Sequence, residues 1–354
     1  MGKIASAVAR VEILRDAILP TLRGALVATL ALTSAVQAQA AKSFAGKTIR
    51  LYIGTGPGGG YDTYGRLVAR HIGRQLPGNP TVVAQNMPGA SSLVLANFLF
   101  NQAPRDATAI GIINQSMPTE QYLLEQNVHY EASRFNWIGR VTSAVELLIV
   151  WHTVPVMRIE DVRSRETVMG GTGPTSSTEF IPRALNNLAG MKFKIISGFK
   201  GTSDVALAME RGEIEGSGTP LESLSSYRAD WVRDKKIKFL LQEAAVRDPE
   251  LPDVPAMVEM GATDEARQIL RFFASGSQVG RSIVAPPAIA PQTVNTLRRA
   301  FDAIFADPAF LDDIKRAGIV VKPMTGERLQ AAVADMANFP PALVQKARLA
   351  REKP

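Results

Sequence analysis

The 354-residue chain contains no cysteine and only three histidines. Without cysteine, disulfides, zinc thiolate sites and thiol nucleophiles are excluded together. None of His71, His129 and His152 has metal-ligand spacing to another histidine or to paired carboxylates. The sequence also lacks the G-x-S-x-G pattern that exposes a nucleophilic serine. We therefore predict no catalytic residue, no metal site and no cofactor, and an enzyme is only the third alternative for this chain.

Clustered charge and a second long apolar run are also missing. The formal net charge is +7, but the basic residues are dispersed along the chain. Nucleic-acid binding needs a basic stripe or arm, so no nucleic-acid partner is expected. After residue 40 no apolar run approaches the roughly 20 residues that cross a bilayer. A mild basic excess suits a small anionic ligand, although only as a weak steering effect.

The first 40 residues have the order of a secretory signal peptide. Basic residues precede the short apolar stretch 24–36, and small residues follow in Ala38-Gln39-Ala40. The apolar stretch is too short for a good membrane anchor, which makes an uncleaved anchor the weaker interpretation. We predict a signal peptide at 1–40 and a periplasmic protein. The remaining 314 residues (354 minus 40) are enough for two domains.

Short apolar runs alternate with helical patterns along the rest of the chain, which is typical of βα units and predicts an α/β fold. Tyr64, Val68 and Ile72 recur every four residues and predict a helix that packs on a sheet. Another helix is predicted at 291–307, with proline near its start. Strands are predicted at 48–53, 81–84, 109–113, 147–151, 167–170, 193–196, 238–241 and 282–284.

A glycine-rich loop at 54–63 joins the first predicted strand to the first predicted helix. Glycines permit close approach to the backbone, and the first amides of a helix lie at the positive end of its dipole, so this junction is a candidate anion site. A dinucleotide site would need an acidic residue about 20 positions downstream, and none stands between Asp62 and Asp106. No Gly-Lys-Ser/Thr follows, which excludes a P-loop. A tight structural turn remains the alternative. Asp62 is expected to cap the helix.

Three further loops, at 86–92, 170–178 and 198–204, have the same strand-to-helix position and are rich in small or hydroxyl residues. Each alone is more often a loop with a helix cap than a site. Four such junctions favour a shared cleft, because open α/β sheets bind ligands beyond the carboxyl ends of their strands. Lys200 in the last loop is a candidate partner for a carboxylate.

Several sequence blocks, in the right order over essentially the whole chain after residue 40, resemble one family. It is the Bug-type receptors, the periplasmic substrate-binding proteins of tripartite tricarboxylate transporters. The blocks are GGGYD at 58–62 with Arg66, VVAQNMPGA at 82–90, APRD at 103–106, FKG at 199–201, GEIEG at 212–216, RDPELPDVP at 247–255 with Glu259, and APP at 285–287.

The resemblance implies a two-lobed, Venus-flytrap fold of the type II-like class of periplasmic binding proteins, in which the chain crosses twice between lobes. One lobe would comprise 41–150 plus 280–354 and the other 151–279. The ligands of the family are typically carboxylates. Three positions depart from the family. Tyr61 stands where the family has a small or polar residue, Gly198-Phe199 stands where it has a Pro-Tyr pair, and Ala107 replaces a glycine. Tyr61 and Phe199 are expected to wall the cleft.

We therefore expect a monomeric receptor that captures a small organic anion and delivers it to the membrane subunits of a tripartite transporter. The alternative is a sensing partner that uses the same cleft. The candidate ligand-binding residues are Gly58, Gly59, Gly60, Tyr61, Asp62, Thr63, Gly89, Ala90, Ser91, Ser116, Thr172, Gly173, Thr175, Ser176, Ser177, Phe199, Lys200, Gly201 and Asp204.

Overall fold

The computed structural model describes residues 44–352 except 125, 175, 221–223 and 225–227. The predicted signal peptide at 1–40 and the candidate residue Thr175 lie outside the described residues. Within the described part of the chain, no helix combines the length and apolar character needed to cross a membrane.

Two separate sheets organise the molecule, which confirms the α/β, two-lobed prediction. The first has the strand order β11-β4-β10-β3-β1-β2 and the second the order β7-β6-β8-β5-β9. The strands are β1 Thr48–Ile53, β2 Thr81–Asn86, β3 Ala109–Ile112, β4 Asn136–Thr142, β5 Glu146–Trp151, β6 Thr167–Gly170, β7 Phe193–Ile196, β8 Gly216–Pro220, β9 Ile237–Gln242, β10 Arg281–Ala285 and β11 Met324–Thr325. The strands therefore pass from the first sheet to the second after β4 and return before β10.

Each predicted strand corresponds to one of these strands, but β4, β8 and β11 were missed. The sequence of β8, GSGTP, has the composition of a loop, and only its pairing with β5 and β6 makes it a strand. The apolar pattern of β4 is interrupted by Gly139. Only glycine fits at this position, because a Cβ there would lie 2.2 Å from Cε1 of Phe301. Strand β11 is only two residues long.

Helices cover both faces of both sheets. They are α1 Gly60–Ile72, α2 Leu93–Asn101, α3 Met117–Leu123, α4 Ser177–Ala189, α5 Thr202–Glu210, α6 Ala229–Arg233, α7 Asp264–Ala274, α8 Pro291–Ile304, α9 Pro308–Ala317, α10 Gly326–Asp335 and α11 Pro341–Glu352. The predicted stripe of α1 is fully buried at Tyr64, Val68 and Ile72. It packs with β1 and α8 in one hydrophobic core.

The residue ranges predicted for the two lobes stay a prediction, and two observations bear on them. Strand β5, which contains the predicted boundary at residue 150, pairs with β8 and β9 in the second sheet. The crossing itself therefore lies at 143–145, because β4 ends at Thr142. At the other end, α11 packs on α3, α4 and α7. Its buried Arg351 donates to both carboxylate oxygens of Glu120, at 2.8 and 2.6 Å.

Candidate functional site

A cavity of about 550 Å³ opens between loops of the two sheets. Strands β1 and β2 run parallel, as do β6 and β7, and the loops that follow their carboxyl ends meet at this cavity. This placement is the one expected for ligand sites of open α/β sheets. The cavity is lined by Gly54, Thr55, Gly56, Pro57, Gly59, Gly60, Tyr61, Pro88, Gly89, Ala90, Ser91, Asn114, Glu146, Thr172, Ser176, Ser177, Thr178, Phe199, Lys200, Gly201, Thr202, Ser203, Asp204, Pro220 and Arg281.

Helix α1 begins at the cavity with Gly59 as its N-cap residue and has no side-chain cap. The first backbone bond of the helix runs from the Thr63 amide to the Gly59 carbonyl, at 3.0 Å. The three amides between these residues therefore have no partner inside the helix. They lie at the positive end of the helix dipole, and two of the three residues, Gly60 and Tyr61, line the cavity, where their amides suit an anionic group.

The sequence predicts that Asp62 caps the first turn of α1, but the structure shows no such cap. The Asp62 carboxylate instead accepts from the Gly58 amide at 3.0 Å, from Nε of Arg66 at 2.9 Å and from Nδ2 of Asn86 at 2.9 Å. Burial opposes its ionisation, but these hydrogen bonds outweigh that effect and lower the pKa of Asp62. Asp62 thus braces the glycine loop from outside the cavity. The Gly58 amide is bound to Asp62, so it is not presented to a ligand.

Helix α5 begins at the same cavity in the same way. Its N-cap residue is Gly201, again without a side-chain cap. The two helix starts touch: Oγ of Ser203 donates to the Gly58 carbonyl at 3.2 Å, and a Cβ on Gly59 would lie 3.4 Å from Oγ1 of Thr202. Lys200 lines the cavity beside them and is exposed. Two uncapped helix N-termini, one from each sheet, therefore face the same space.

The loop 170–178 differs, because its own side chains satisfy its donors. The Gly173 amide donates to Oε1 of Glu179 at 2.7 Å, and the Thr172 amide donates to Oγ1 of Thr178 at 3.0 Å. Oγ1 of Thr172 donates to Oγ of Ser176 at 2.9 Å, while Ser176 caps α4. This loop contributes hydroxyl groups to the cavity wall, but fewer open amides than its sequence suggests.

The loop before α2 has an unusual backbone. Gly89, Ala90, Ser91 and Ser92 have successive positive φ values of 150°, 43°, 53° and 82°. Residues other than glycine rarely adopt positive φ values, and a strained backbone of this kind is often found at functional sites. Oγ of Ser92 donates to the Gly54 carbonyl at 3.0 Å and ties the loop to the end of β1. Ala90 and Ser91 are held at the cavity wall as a result.

Two charged residues of the cavity wall were not predicted from the sequence. Arg281 and Glu146 are 3% and 5% exposed, and each is the first residue of a strand next to a crossing between the sheets. The guanidinium carbon of Arg281 lies 4.0 Å from the centre of the Tyr61 ring. Burial raises the pKa of Glu146 to about 7, against the opposing effects of Arg281 and of a hydrogen bond with Ser177. No local motif marks either residue, since only the topology brings them together.

Most of the candidate residues predicted from the sequence lie at the cavity. The exceptions are Gly58, Asp62, Thr63, Ser116 and Gly173, which do not line it. Ser116 is buried, and both its amide and its hydroxyl donate to Oδ1 of Asn114, at 3.0 and 2.9 Å. It positions Asn114, which does line the wall. The candidates at the wall are Gly59, Gly60, Tyr61, Gly89, Ala90, Ser91, Thr172, Ser176, Ser177, Phe199, Lys200, Gly201 and Asp204.

Solved structures with this fold are periplasmic binding proteins. The chain is similar to the periplasmic binding protein BugD, with 21% identity and a TM-score of 0.67 over 85% of this chain and 98% of that one. It is also similar to MatC from Rhodopseudomonas palustris, solved with bound malate, with 19% identity and a TM-score of 0.65 over 87% and 99% of the chains. Two sheets with a cavity between them thus give the chain the fold of a periplasmic binding protein.

The family follows from the sequence profile. The profile of the tripartite tricarboxylate transporter family receptor matches residues 65–349, and the chain belongs to this family. A relative from Cupriavidus necator, "UPF0065 protein in gbd 5'region", is 24% identical over 338 residues, covering 93% of this chain and 96% of the relative. The predictions of a solute-binding receptor, rather than an enzyme, and of the Bug-type family are confirmed. Family membership also favours the transport role over the sensing alternative.

Proposed function

We propose that the protein is a periplasmic receptor that captures a small organic carboxylate in the cavity between its two sheets. In this proposal the first 40 residues direct export and are removed. The loaded receptor, a monomer, delivers its ligand to the membrane subunits of a tripartite tricarboxylate transporter. The observation that carries the proposal is the pair of uncapped helix N-termini, of α1 and α5, that line the same cavity side by side.

The contrast with α4 supports this choice of ligand. Helix α4 also begins at the cavity, but Ser176 caps it and Glu179 takes a nearby amide. The first amides of α1 and α5 have no side-chain cap, so an anionic ligand would serve them in place of a cap. Lys200 adds a positive charge at the mouth of the cavity. The family name and the malate bound to MatC point to the same ligand chemistry.

The proposed site uses both lobes, so binding would be coupled to closure. We propose lobes of 41–150 plus 280–354 and of 151–279, with the first boundary adjusted to 143–145 because β5 belongs to the second sheet. The contact between Ser203 and Gly58 joins the two sides. A ligand that bridges α1 and α5 adds contacts only in the closed form, and it therefore shifts the population toward closure.

A thermal-shift screen of the purified protein tests the proposal. The ligands are di- and tricarboxylates, amino acids and aromatic acids, and the methyl esters of the acids are the controls. A ligand at 100 times its Kd adds about 2.7 kcal/mol to the free energy of unfolding, which raises the melting temperature. We expect at least one acid to give this shift and its ester to lose it. No shift with any carboxylate would overturn the proposal.

A further inference from the structure

Glu146 places an acidic side chain in the wall of a cavity that otherwise suits anions. It stands opposite Pro220 in the pairing of β5 with β8. A Cβ on the neighbouring Gly218 would lie 3.2 Å from Oε1 of Glu146, so the carboxyl group lies over this glycine. Its further partner is Ser177, in the first turn of α4. Glu146 is therefore held at the cavity wall beside the start of α4.

The charges around Glu146 make it an available acceptor. The positive charge of Arg281 lowers the pKa of Glu146 and so partly opposes the effect of burial, and the Tyr61 ring lies against Arg281. The other titratable neighbour is Glu243, whose amide donates to the Glu146 carbonyl at 2.7 Å. Burial, together with the charge of Glu146, raises the pKa of Glu243 well above its usual range. Glu243 lies outside the cavity wall, while Glu146 lies at the wall and interacts with the positive charge of Arg281.

A buried carboxylate acceptor has a clear effect on which ligands fit. A ligand carboxylate next to Glu146 meets a like charge in a low-dielectric site, which is costly unless a proton is taken up. A hydroxyl or ammonium group at the same place donates a charge-assisted hydrogen bond, which is stronger than a neutral one. The wall thus favours anionic groups at α1 and α5 and a hydrogen-bond donor at Glu146.

We propose that Glu146 is a specificity-determining residue of the cavity and selects carboxylates that carry a hydroxyl or ammonium donor over the same carboxylates without it. This inference rests on the proposed function, since it requires that a carboxylate binds in the cavity at all. It adds the chemistry of the second group on the ligand, which the family profile does not specify.

Calorimetric titration with matched acids tests the inference. The first set is succinate, malate and aspartate, and the second is glutarate, 2-hydroxyglutarate and glutamate. At pH 8, where Glu146 is mostly ionised, we expect a donor-bearing acid to bind about tenfold tighter, or more, than its plain counterpart. Preference for malate or 2-hydroxyglutarate identifies a hydroxyl donor, and preference for aspartate or glutamate identifies an ammonium donor.

Two variants separate a direct role from a general disturbance of the buried charges. In Glu146→Gln we expect the ratio of the affinities for donor-bearing and plain acids to fall to about threefold or less, because the amide lacks the charge that strengthens the hydrogen bond. The control Glu243→Gln changes the neighbouring carboxyl outside the wall and should keep the wild-type ratio. Equal binding of plain and donor-bearing acids by the wild type, or loss of the ratio in both variants, overturns the inference. Absence of binding by every acid overturns the proposed function as well, so the two failures are distinguishable.

Discussion

Glu146 also links the stability of the protein to pH. Glu146 is 5% exposed, and burial raises the pKa of its carboxyl group to about 7 from an unfolded value of 4.5. The folded state therefore binds more protons than the unfolded state between these two values. By linkage, the contribution of this group to stability is fully present below pH 4.5 and is lost as the pH rises through about 7.

We predict that the free energy of unfolding of the wild-type protein falls between pH 5 and pH 8, and that Glu146→Gln flattens this fall. The raised pKa of Glu146 lowers the free energy of unfolding at pH 8 by at most about 3 kcal/mol relative to low pH, and the variant should recover part of this loss. Chemical denaturation at several pH values measures the effect. Glu166→Gln, at a side chain that is 64% exposed, is the control and should keep the wild-type slope. An unchanged slope in Glu146→Gln would contradict the prediction.

Individual wall residues were predictable where a local pattern marks them. The glycines of the loop 54–63 and Lys200 stand in strand-to-helix junctions, which the sequence displays directly. Arg281 and Glu146 have no such pattern, because they lie 135 positions apart and meet only where strands of different sheets begin (281 minus 146). Asp62 was predicted to cap α1, but its carboxylate accepts from the Gly58 amide instead, because that amide turns back toward it.

At the scale of elements, the start of α1 carries the proposed binding chemistry. Gly59 has φ −102° and ψ 177°, an extended conformation that any residue adopts. A Cβ at this position would lie 3.4 Å from Oγ1 of Thr202, where the starts of α1 and α5 meet. The backbone conformation thus does not require glycine, and a single Cβ would just touch Thr202, whereas a larger side chain would press against the start of α5.

We predict that Gly59→Val abolishes or greatly weakens carboxylate binding while the fold remains intact. The added methyl groups fill the gap between α1 and α5 and keep both the ligand and the second lobe away from the backbone. Calorimetric titration should show a loss of about tenfold or more in affinity, and Gly59→Ala should fall between this variant and the wild type. Without ligand, the free energy of unfolding should change by only about 1 kcal/mol, as for an N-cap substitution. Unchanged affinity in Gly59→Val would remove the start of α1 from the site.

Other elements show where sequence patterns are sufficient and where they fail. Strands with a clear apolar pattern were predictable, whether the pattern alternates, as in β1, or is continuous, as in β5. Helices with a buried stripe, such as α1 and α8, were predictable as well. Strand β8 was not, because glycine, serine and proline favour loops unless neighbouring strands supply the pairing. The loop 170–178 has the composition of an anion site, yet Glu179 and its own hydroxyls already satisfy it.

At the scale of the whole molecule, the chain connects its two halves more than the strand order alone suggests. The strands cross at 143–145 and again between β9 and β10, and α11 then returns to pack on α3, α4 and α7. The two bonds from Arg351 to the buried Glu120 hold this last helix in place. The segment between α10, which packs on β4, and α11 is therefore a third connection between the two halves.

The central claim is that a carboxylate bridges the starts of α1 and α5 in the cavity between the sheets. A crystal structure of the protein with the tightest-binding acid of the thermal-shift screen tests it most directly. The account predicts carboxylate oxygens at about 3 Å from main-chain amide nitrogens in the first turns of both helices. A ligand bound outside the cavity, or a carboxylate held by the loop 170–178 with no contact to α1 and α5, would contradict it.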